Sequence, residues 1–302
     1  MVDPQDSFKE VWPLSPWARK KAQEAMDHRA AWEKREIEAY RKDLKTVHGQ
    51  AVRDFAYFSR LISGALQFLE HLGRRPQGIA VDLGSGTGVG AAILSRYPFV
   101  HRVYAVEFSE GFVDYIMPLT FQQFQAETQK ITRVVGDFNR LHLSDSSVGL
   151  VLSLDSLHHS EDLHVTLREV RRVLHPQGAL IAVDRGWPDF YTDAQLNAML
   201  DQELNENLKR KYGIPPEQSF TRRDFGEHEY RYRDWEAFFH RSGFVLHLFR
   251  FWHPPALNRL WLRLPTFAWS VRWSAWRARR GARRHVLYGW GKKRILLVAF
   301  PK

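Results

Sequence analysis

A glycine-rich turn between an apolar strand and a helix constrains this 302-residue chain more than any other feature. Residues 79–83 form a short apolar run, residues 84–88 read Gly-Ser-Gly-Thr-Gly, and residues 90–97 have a helical pattern. Glycine permits a sharp turn and a close approach of backbone to ligand, and the helix presents its free N–H groups there. The segment therefore predicts a ligand site at the carboxyl end of a strand.

Strand and helix patterns alternate after this turn. We predict further strands at 102–106, 131–135, 148–154, 179–183, 244–252 and 294–300, separated by helices at 110–130, 163–174, 193–212 and 232–242. Such alternation is typical of a mostly parallel sheet with helices on both faces. Before the first strand we expect a loose tail at 1–14 and two helices, at 17–44 and 50–72.

The composition excludes several kinds of site. The chain has no cysteine, which rules out disulfides, thiolate metal ligands and a cysteine nucleophile. Its first residues are polar, and no apolar run approaches the eighteen residues of a spanning helix. We therefore expect a cytoplasmic protein that can also attach peripherally to the inner face of the membrane.

Polar side chains at the ends of the first three predicted strands distinguish between two nucleotide-like ligands. The glycine turn by itself also satisfies the degenerate dinucleotide pattern. However, Asp82 suits an ammonium group better than a pyrophosphate, and Glu107 suits the two ribose hydroxyls. Asp137 and Phe138 offer an acceptor for an adenine amino group and an aromatic face for its ring. The set predicts S-adenosylmethionine.

In this order the segments resemble the class I S-adenosylmethionine-dependent methyltransferases. The resemblance extends from about residue 79 to 186 and is closest to the branch that methylates small molecules and lipids, including quinone-biosynthesis enzymes. It is carried by residues 81–88, Glu107, 136–138, 154–159 and 171–180. It implies a Rossmann-like seven-stranded α/β sheet whose last strand is antiparallel, with S-adenosylmethionine as cofactor and S-adenosylhomocysteine as product.

The resemblance also implies roles for individual residues. The glycine segment would hold the methionine part of the cofactor, Glu107 the ribose, and Asp137 with Phe138 the adenine. The complete set of predicted cofactor contacts is Asp82, Gly84, Ser85, Gly86, Gly88, Glu107, Phe108, Asp137, Phe138, Asp155 and Ser156.

Two adjacent histidines, His158 and His159, follow the predicted strand at 148–154, where a substrate would meet the cofactor in this fold. Histidine suits a general base because its pKa lies near neutrality. The histidines are therefore our candidates for catalysis, although a purely structural role in the loop is an equally good interpretation. We predict no metal site.

The positive charge of the chain is concentrated at its end. The net charge is +10, yet residues 237–302 contain fourteen Lys or Arg and no Asp or Glu, so the preceding part is slightly acidic. An insertion at 253–293, between the last two predicted strands, holds ten of these basic residues and five tryptophans. A helix with Trp and Leu on one face and Arg on the other would suit an anionic membrane surface. The alternatives are a solvated arginine face over a tryptophan core, with no partner, and binding to RNA.

These patterns divide the chain into four predicted segments. They are an N-terminal helical lid at 1–75, a cofactor-binding core at 76–186, a helical substrate segment at 187–243, and a final segment at 244–302 with the basic, Trp-rich insertion. We expect methyl transfer to a small-molecule or lipid-like acceptor. The alternatives are RNA methylation and a non-catalytic protein that binds an adenosine ligand.

Overall fold

The computed structural model of the chain describes residues 8–16, 19, 44–212, 214–252, 266–288 and 294–302. Its longer helices are α1 (Leu44–His71), α2 (Val89–Ser95), α3 (Met117–Gln123), α4 (Leu163–Val173), α5 (Asp193–Leu200), α6 (Glu206–Tyr212), α7 (Tyr232–Arg241) and α8 (Thr266–Arg279). Its strands are β1 (Phe8–Val11), β2 (Gly78–Leu83), β3 (Val100–Glu107), β4 (Ile131–Val135), β5 (Val148–Leu154), β6 (Leu174–Arg185), β7 (Phe244–Trp252), β8 (Arg284–Tyr288) and β9 (Arg294–Pro301).

All nine strands form one sheet, in the order β1-β4-β3-β2-β5-β6-β9-β7-β8. Every neighbouring pair is parallel except the two pairs that β9 makes, because β9 runs antiparallel to both β6 and β7. The expectation of a mostly parallel sheet with an antiparallel last strand is thus confirmed. The carboxyl ends of β2 to β6 lie along one edge, where ligands bind in open α/β sheets.

Helices cover both faces of the sheet. On one face α1, α2, α3 and α8 bury apolar side chains such as Ile62, Phe121 and Val271 against the strands. On the other face α4 and α7 do so, for example through Leu167 and Trp235. The strands between these layers are buried on both sides, so they read as continuous apolar runs and are easy to locate in the sequence.

The sheet has two strands beyond the predicted seven. The expectation of a loose tail at 1–14 is wrong for residues 8–11, because β1 pairs in parallel with β4. Its four side chains are all exposed, so it has no alternating apolar pattern and is held by backbone bonds and by the buried Trp12 that follows it. The second addition, β8, lies within the predicted insertion and pairs with β7.

Two predicted helices differ from the observed elements. The predicted helix at 193–212 is two helices, because Asn205 accepts a hydrogen bond from the N–H of Leu208 and starts α6 after a bridge at Glu203. The predicted helix at 110–130 contains a π-helical turn, Phe112–Ile116, before α3, which has Pro118 in its first turn. The predicted helix at 17–44 lies almost entirely outside the described residues. Within the part of the chain described, no helix combines the length and apolarity needed to cross a bilayer.

Candidate functional site

The glycine turn lies at the carboxyl edge of the sheet, between β2 and α2. Gly84 has φ +68, and a Cβ there would lie 2.6 Å from the Cβ of Ser156, so no other residue fits. Gly86 also has positive φ, but a Cβ there would meet no heavy atom within 4 Å. The turn therefore packs against the protein at its first glycine and is open at its second. Gly88 precedes α2 as its N-cap.

Asp82 joins the end of β2 to the first turn of α2. Its Oδ2 atom accepts hydrogen bonds from the hydroxyl of Ser85 (2.6 Å) and from the N–H of Ala91 (2.7 Å). Burial raises the pKa of Asp82 to about 6, although these two bonds oppose the rise. The carboxyl thus has a structural role in the turn and is also poised to favour a nearby cation.

Glu107 ends β3 next to the glycine turn. Its Oε2 atom accepts a hydrogen bond from the N–H of Gly86 and its Oε1 atom one from the N–H of Ser109, each at 3.0 Å. The side chain is buried, and Phe108 beside it is half-buried. The structure therefore brings the predicted ribose-binding carboxylate into direct contact with the open part of the glycine turn.

Asp137 and Phe138 follow β4 at the same edge. Asp137 accepts hydrogen bonds from the backbone N–H groups of Asn139 and Ser15, both at 2.7 Å. Phe138 is half-buried, and its ring lies 3.6 Å from where a Cβ on Gly84 would be. The predicted adenine-binding pair thus adjoins the turn, and the segment after β1 reaches it as well.

Asp155 and Ser156, which follow β5, have different surroundings. The hydroxyl of Ser156 donates to the carbonyl oxygen of Leu83 at 2.6 Å, so this serine fixes the residue that directly precedes the glycine turn. Asp155 has φ +52 and pairs with Arg294, whose Nη2 atom lies 2.5 Å from its Oδ2 atom. Burial raises the pKa of Asp155, while the charge of Arg294 opposes this rise.

Arg294 also contacts α1. Its guanidinium carbon lies 5.6 and 5.5 Å from the ring centres of Tyr57 and Phe58. Burial raises the pKa of Asp54, which is on the same helix, and the charge of Arg294 opposes this rise. Sequence reasoning missed Arg294 as a site residue. The available signal was that an antiparallel last strand must begin where the parallel strands end.

The two candidate histidines lie together in the short turn after β5. The Nδ1 atom of His158 is 2.8 Å from the Oδ1 atom of Asp184, and both side chains are buried. The rings of His158 and His159 are 4.1 Å apart, and burial, together with the charge of His158, lowers the pKa of His159 to about 3. His159 therefore remains neutral and is a weak base at neutral pH.

A group of possible metal ligands includes these histidines. Donor atoms of His158, His159 and Glu227 lie within 4.8 Å of one another. However, the Oε2 atom of Glu227 is bonded by Arg185 (3.1 Å) and Arg222 (2.7 Å). Two guanidinium groups beside the carboxylate oppose a metal cation, so the group is better described as an ion-pair network than as a metal site.

The chemistry of this edge fits S-adenosylmethionine. A carboxyl group that favours cations, a carboxylate beside an open glycine turn and an acceptor next to an aromatic ring match its ammonium, ribose and adenine groups respectively. Asp82, Glu107 and Asp137 provide these features at the ends of three adjacent strands. The structure thus brings together the residues that the sequence predicted to hold the cofactor.

Comparison with known proteins agrees with this geometry. The family profile described as Methyltransferase domain matches residues 81–182. A malonyl-acyl-carrier-protein O-methyltransferase of Nitrosospira multiformis is 32% identical over 136 residues, which are 41% of this chain and 43% of that protein. A sterol 24-C-methyltransferase of Gibberella zeae is 26% identical over 167 residues, 53% of this chain and 43% of that protein. The chain thus spans less than half of the length of these relatives.

The fold of a solved structure is also similar. A proposed sarcosine dimethylglycine methyltransferase from Galdieria sulphuraria aligns with a TM-score of 0.50 at 18% identity, covering 82% of this chain and 84% of that one. At this identity the likeness concerns the fold alone. The glycine turn, the strand-end carboxylates and the matched segment all fall within residues 81–182, and this part of the chain is a methyltransferase domain of the class I S-adenosylmethionine-dependent type.

Proposed function

We propose that this protein transfers the methyl group of S-adenosylmethionine to a small, lipid-like acceptor. The observation that carries the proposal is the contact between the Glu107 carboxylate and the N–H of Gly86 at 3.0 Å, because it joins a ribose-binding group to the open glycine turn. When bound, the cofactor supplies an electrophilic methyl group on a sulfonium. The protein would act in the cytoplasm, as a peripheral protein where it meets a membrane.

The acceptor is expected at the ends of β5 and β6, beyond the glycine turn. Asp155, Arg294, Tyr57 and Phe58 border this end of the site, so it offers aromatic walls and one guanidinium. A relative named for its action on a sterol supports a lipid-like acceptor here. The N-terminal lid that we predict would include α1, which provides the two aromatic rings.

His158 is the base that this arrangement favours if the acceptor loses a proton. Asp184 orients its ring through Nδ1, which leaves Nε2 as the proton acceptor. Positioning alone supplies much of the rate of a transfer between two bound groups. A proton-bearing acceptor would therefore need both the positioning at the strand ends and the His158–Asp184 pair.

Isothermal titration with S-adenosylmethionine and S-adenosylhomocysteine tests the cofactor part of this proposal. Replacing Glu107 by Ala should weaken both affinities about 100-fold, because charge-assisted bonds to ribose are each worth about 1.5–3 kcal/mol. Glu110→Ala is the matched control, since Glu110 is exposed and pairs with Lys9. A folded wild-type protein that binds neither ligand would refute the proposal.

The transfer itself is tested with methyl-labelled cofactor and a crude lipid extract as the source of acceptors. Label should enter the organic-soluble fraction with the wild-type protein and not with Glu107→Ala. Transfer of label only into added RNA would instead support the alternative of RNA methylation.

A further inference from the structure

The helix α8 in the basic insertion has two sharply different faces. Its inner face packs against α1 and β8 through small or apolar side chains, namely Phe267, Ser270, Val271, Ser274, Ala275 and Ala278. Gly64 of α1 makes room for this packing, since a Cβ there would lie 2.6 Å from the ring of Phe267. The helix is therefore a fixed part of the fold, and its outer face is presented in one orientation.

Three tryptophans dominate the outer face of α8. Trp269, Trp273 and Trp276 are 73, 58 and 45% exposed, although tryptophan is usually well buried. This corrects two sequence-based interpretations for these residues. They do not form a core beneath the arginines, and they do not lie on the face opposite the arginines. Contiguous exposed apolar surface of this kind marks an interaction site.

Arginines border this tryptophan stripe on both sides. At 100° per residue, Arg272 lies on one side of the stripe and Arg277 on the other, and both are exposed. No acidic residue occurs after Glu236 in the sequence. The face therefore carries a central aromatic stripe with an arginine on each side, which is the pattern of a helix lying in a lipid headgroup layer.

We propose that the outer face of α8 docks this protein on an anionic phospholipid surface. Trp269, Trp273 and Trp276 enter the headgroup layer, and the flanking arginines contact lipid phosphates while their stems cover the apolar boundary. The purpose of this docking, to bring a lipid-like acceptor to the site, rests on the proposed function. The docking itself depends only on the surface of α8.

The arrangement of the rings favours lipid over nucleic acid. Trp273 stacks on Trp276 with ring centres 4.8 Å apart and an interplanar angle of 18°. Arg280 follows Trp276 by four residues, and its guanidinium carbon lies 3.7 Å from the centre of the Trp276 ring. These two contacts occupy part of the Trp276 ring on which a base would stack, whereas stacking on free rings is what single-stranded RNA requires.

The position of α8 connects this surface to the acceptor end of the site. Phe267 at its start lies under the guanidinium of Arg60 at 4.6 Å, and Arg279 at its end donates a hydrogen bond to the carbonyl of His71. The helix thus runs parallel to α1, with its start toward Tyr57 and Phe58. The start of α8 is therefore the end of the helix that lies nearer to the proposed acceptor end of the site.

Flotation with vesicles tests the proposal, comparing phosphatidylcholine alone with an equimolar mixture of phosphatidylcholine and phosphatidylglycerol. The full chain should bind the mixed vesicles and lose this binding steeply with added salt. Replacing Arg272 and Arg277 together by Gln should weaken the partition about 30-fold, from about 1 kcal/mol for each basic residue. The matched control is the pair Arg168→Gln and Arg241→Gln, exposed arginines on α4 and α7 across the sheet.

A second pair of variants tests the aromatic stripe. Replacing Trp269 and Trp273 by Ser should weaken binding at least about tenfold, because apolar area is lost from the interface. Tyr115→Ser is the control, since this side chain is 53% exposed near the opposite edge of the sheet. All variants should keep the far-ultraviolet dichroism of the wild type, because none of the replaced side chains is buried.

Titration with S-adenosylhomocysteine separates the docking from the proposed function. Wild-type protein that binds this ligand but ignores anionic vesicles would overturn the docking and leave the methyltransferase proposal standing. Vesicle binding that survives both the Trp and the Arg replacements would also overturn it, as would salt-sensitive binding to RNA without any to vesicles. Vesicle binding without affinity for the ligand would support the docking and count against the proposed function alone.

Discussion

The Nδ1 atom of His158 lies 2.8 Å from the Oδ1 atom of Asp184, and both side chains are buried. Burial by itself would raise the pKa of Asp184. The charge and hydrogen bond of His158, with the backbone N–H of Arg185, nevertheless hold the pKa of Asp184 below its ordinary value. Asp184 is therefore a carboxylate that receives the Nδ1–H of His158, and in the neutral form of this ring the opposite nitrogen is left to accept a proton.

Asp184→Asn should lower the rate of methyl transfer about 100-fold or more while leaving cofactor affinity unchanged. An amide at this position can donate to Nδ1, which would place the proton of His158 on Nε2 and remove the base. Label transfer into lipid extract and titration with S-adenosylhomocysteine measure the two effects separately. Asp145→Asn, on an exposed acid paired with Arg172, is the control. Equal rates for the two variants would exclude His158 as the base.

The affinity for the cofactor should depend on pH through Asp82. Its pKa is raised to about 6 from 3.8, so in the ligand-free fold the carboxyl keeps its proton between these values. The raised pKa means that the protonated carboxyl stabilises the folded state at low pH. This contribution, at most about 3 kcal/mol, is lost as the pH rises through about 6. A cationic ligand favours the ionised form, so affinity should increase about tenfold between about pH 5 and pH 7.

Titration calorimetry at several pH values measures this effect. Asp82→Asn should bind with an affinity that no longer varies over this range, whereas Glu161→Gln, on an exposed acid, should retain the variation. An unchanged pH profile in Asp82→Asn would show that another group is responsible.

Two buried histidines should make the protein sensitive to acid. Nδ1 of His247 lies 3.1 Å from Nε2 of His285, and Arg283 donates to the other nitrogen of His247. Burial, with the charges around them, lowers their pKa values to about 3 and about 4. Because an unfolded histidine takes up a proton near pH 6.5 and these do not, stability should fall as the pH drops below that value.

At about pH 5 the loss should amount to roughly 2 kcal/mol for each of these histidines. Urea unfolding at neutral and acidic pH gives the difference. His285→Phe, which places an apolar ring beside Phe68 and Phe249, should reduce the loss by about 2 kcal/mol, the share of this histidine. The exposed His101 replaced by Asn should behave like the wild type. A wild-type stability that is flat over this range would contradict the prediction.

Gly64→Leu should destabilise the protein by about 1–3 kcal/mol, because its side chain would be forced into the ring of Phe267. Thermal unfolding measures the change. Gln67→Leu provides the comparison on the exposed face of the same helix and should change stability by less than about 0.5 kcal/mol. If both variants unfold alike, α8 does not pack on α1 as described.

Sequence patterns were sufficient for the centre of the sheet but not for its edges. The strands around Leu83 and Leu152 are buried on both faces and are bounded by turn residues, so their apolar runs identify them. Phe8–Val11 has neither feature, because an edge strand with four exposed side chains depends on backbone bonds to its neighbour. Such pairing between distant segments leaves no local pattern.

The orientation of α8 could not be predicted from the sequence, for a different reason. Trp269, Trp273 and Trp276 recur at helical spacing, and so do Phe267 and Val271 with the alanines that follow. Periodicity predicts the helix but does not say which of two apolar stripes faces the protein. Gly64 leaves room for the ring of Phe267, and this packing leaves the tryptophans outside.

Side-chain pairs formed between different strands were the hardest part of the candidate site to predict. His158 and Asp184 are 26 residues apart, and the expectation that the histidine turn adjoins the cofactor did not include its bond to this carboxylate. Arg294 was missed because it belongs to the antiparallel strand. The proposed cofactor contacts were easier to identify, since each follows the end of its own strand.

The hydrogen bond from the N–H of Ser15 to Asp137 means that two separate segments of the chain border the proposed site. The segment that follows β1 lies at the predicted adenine end of the site, whereas α1, with α8 packed against it, lies at the predicted acceptor end. Residues 8–15 therefore lie beside the predicted adenine end of the site and away from its predicted acceptor end. The two ends of the proposed site are thus bordered by different segments of the chain, which lie on either side of β3 and β2 in the sheet.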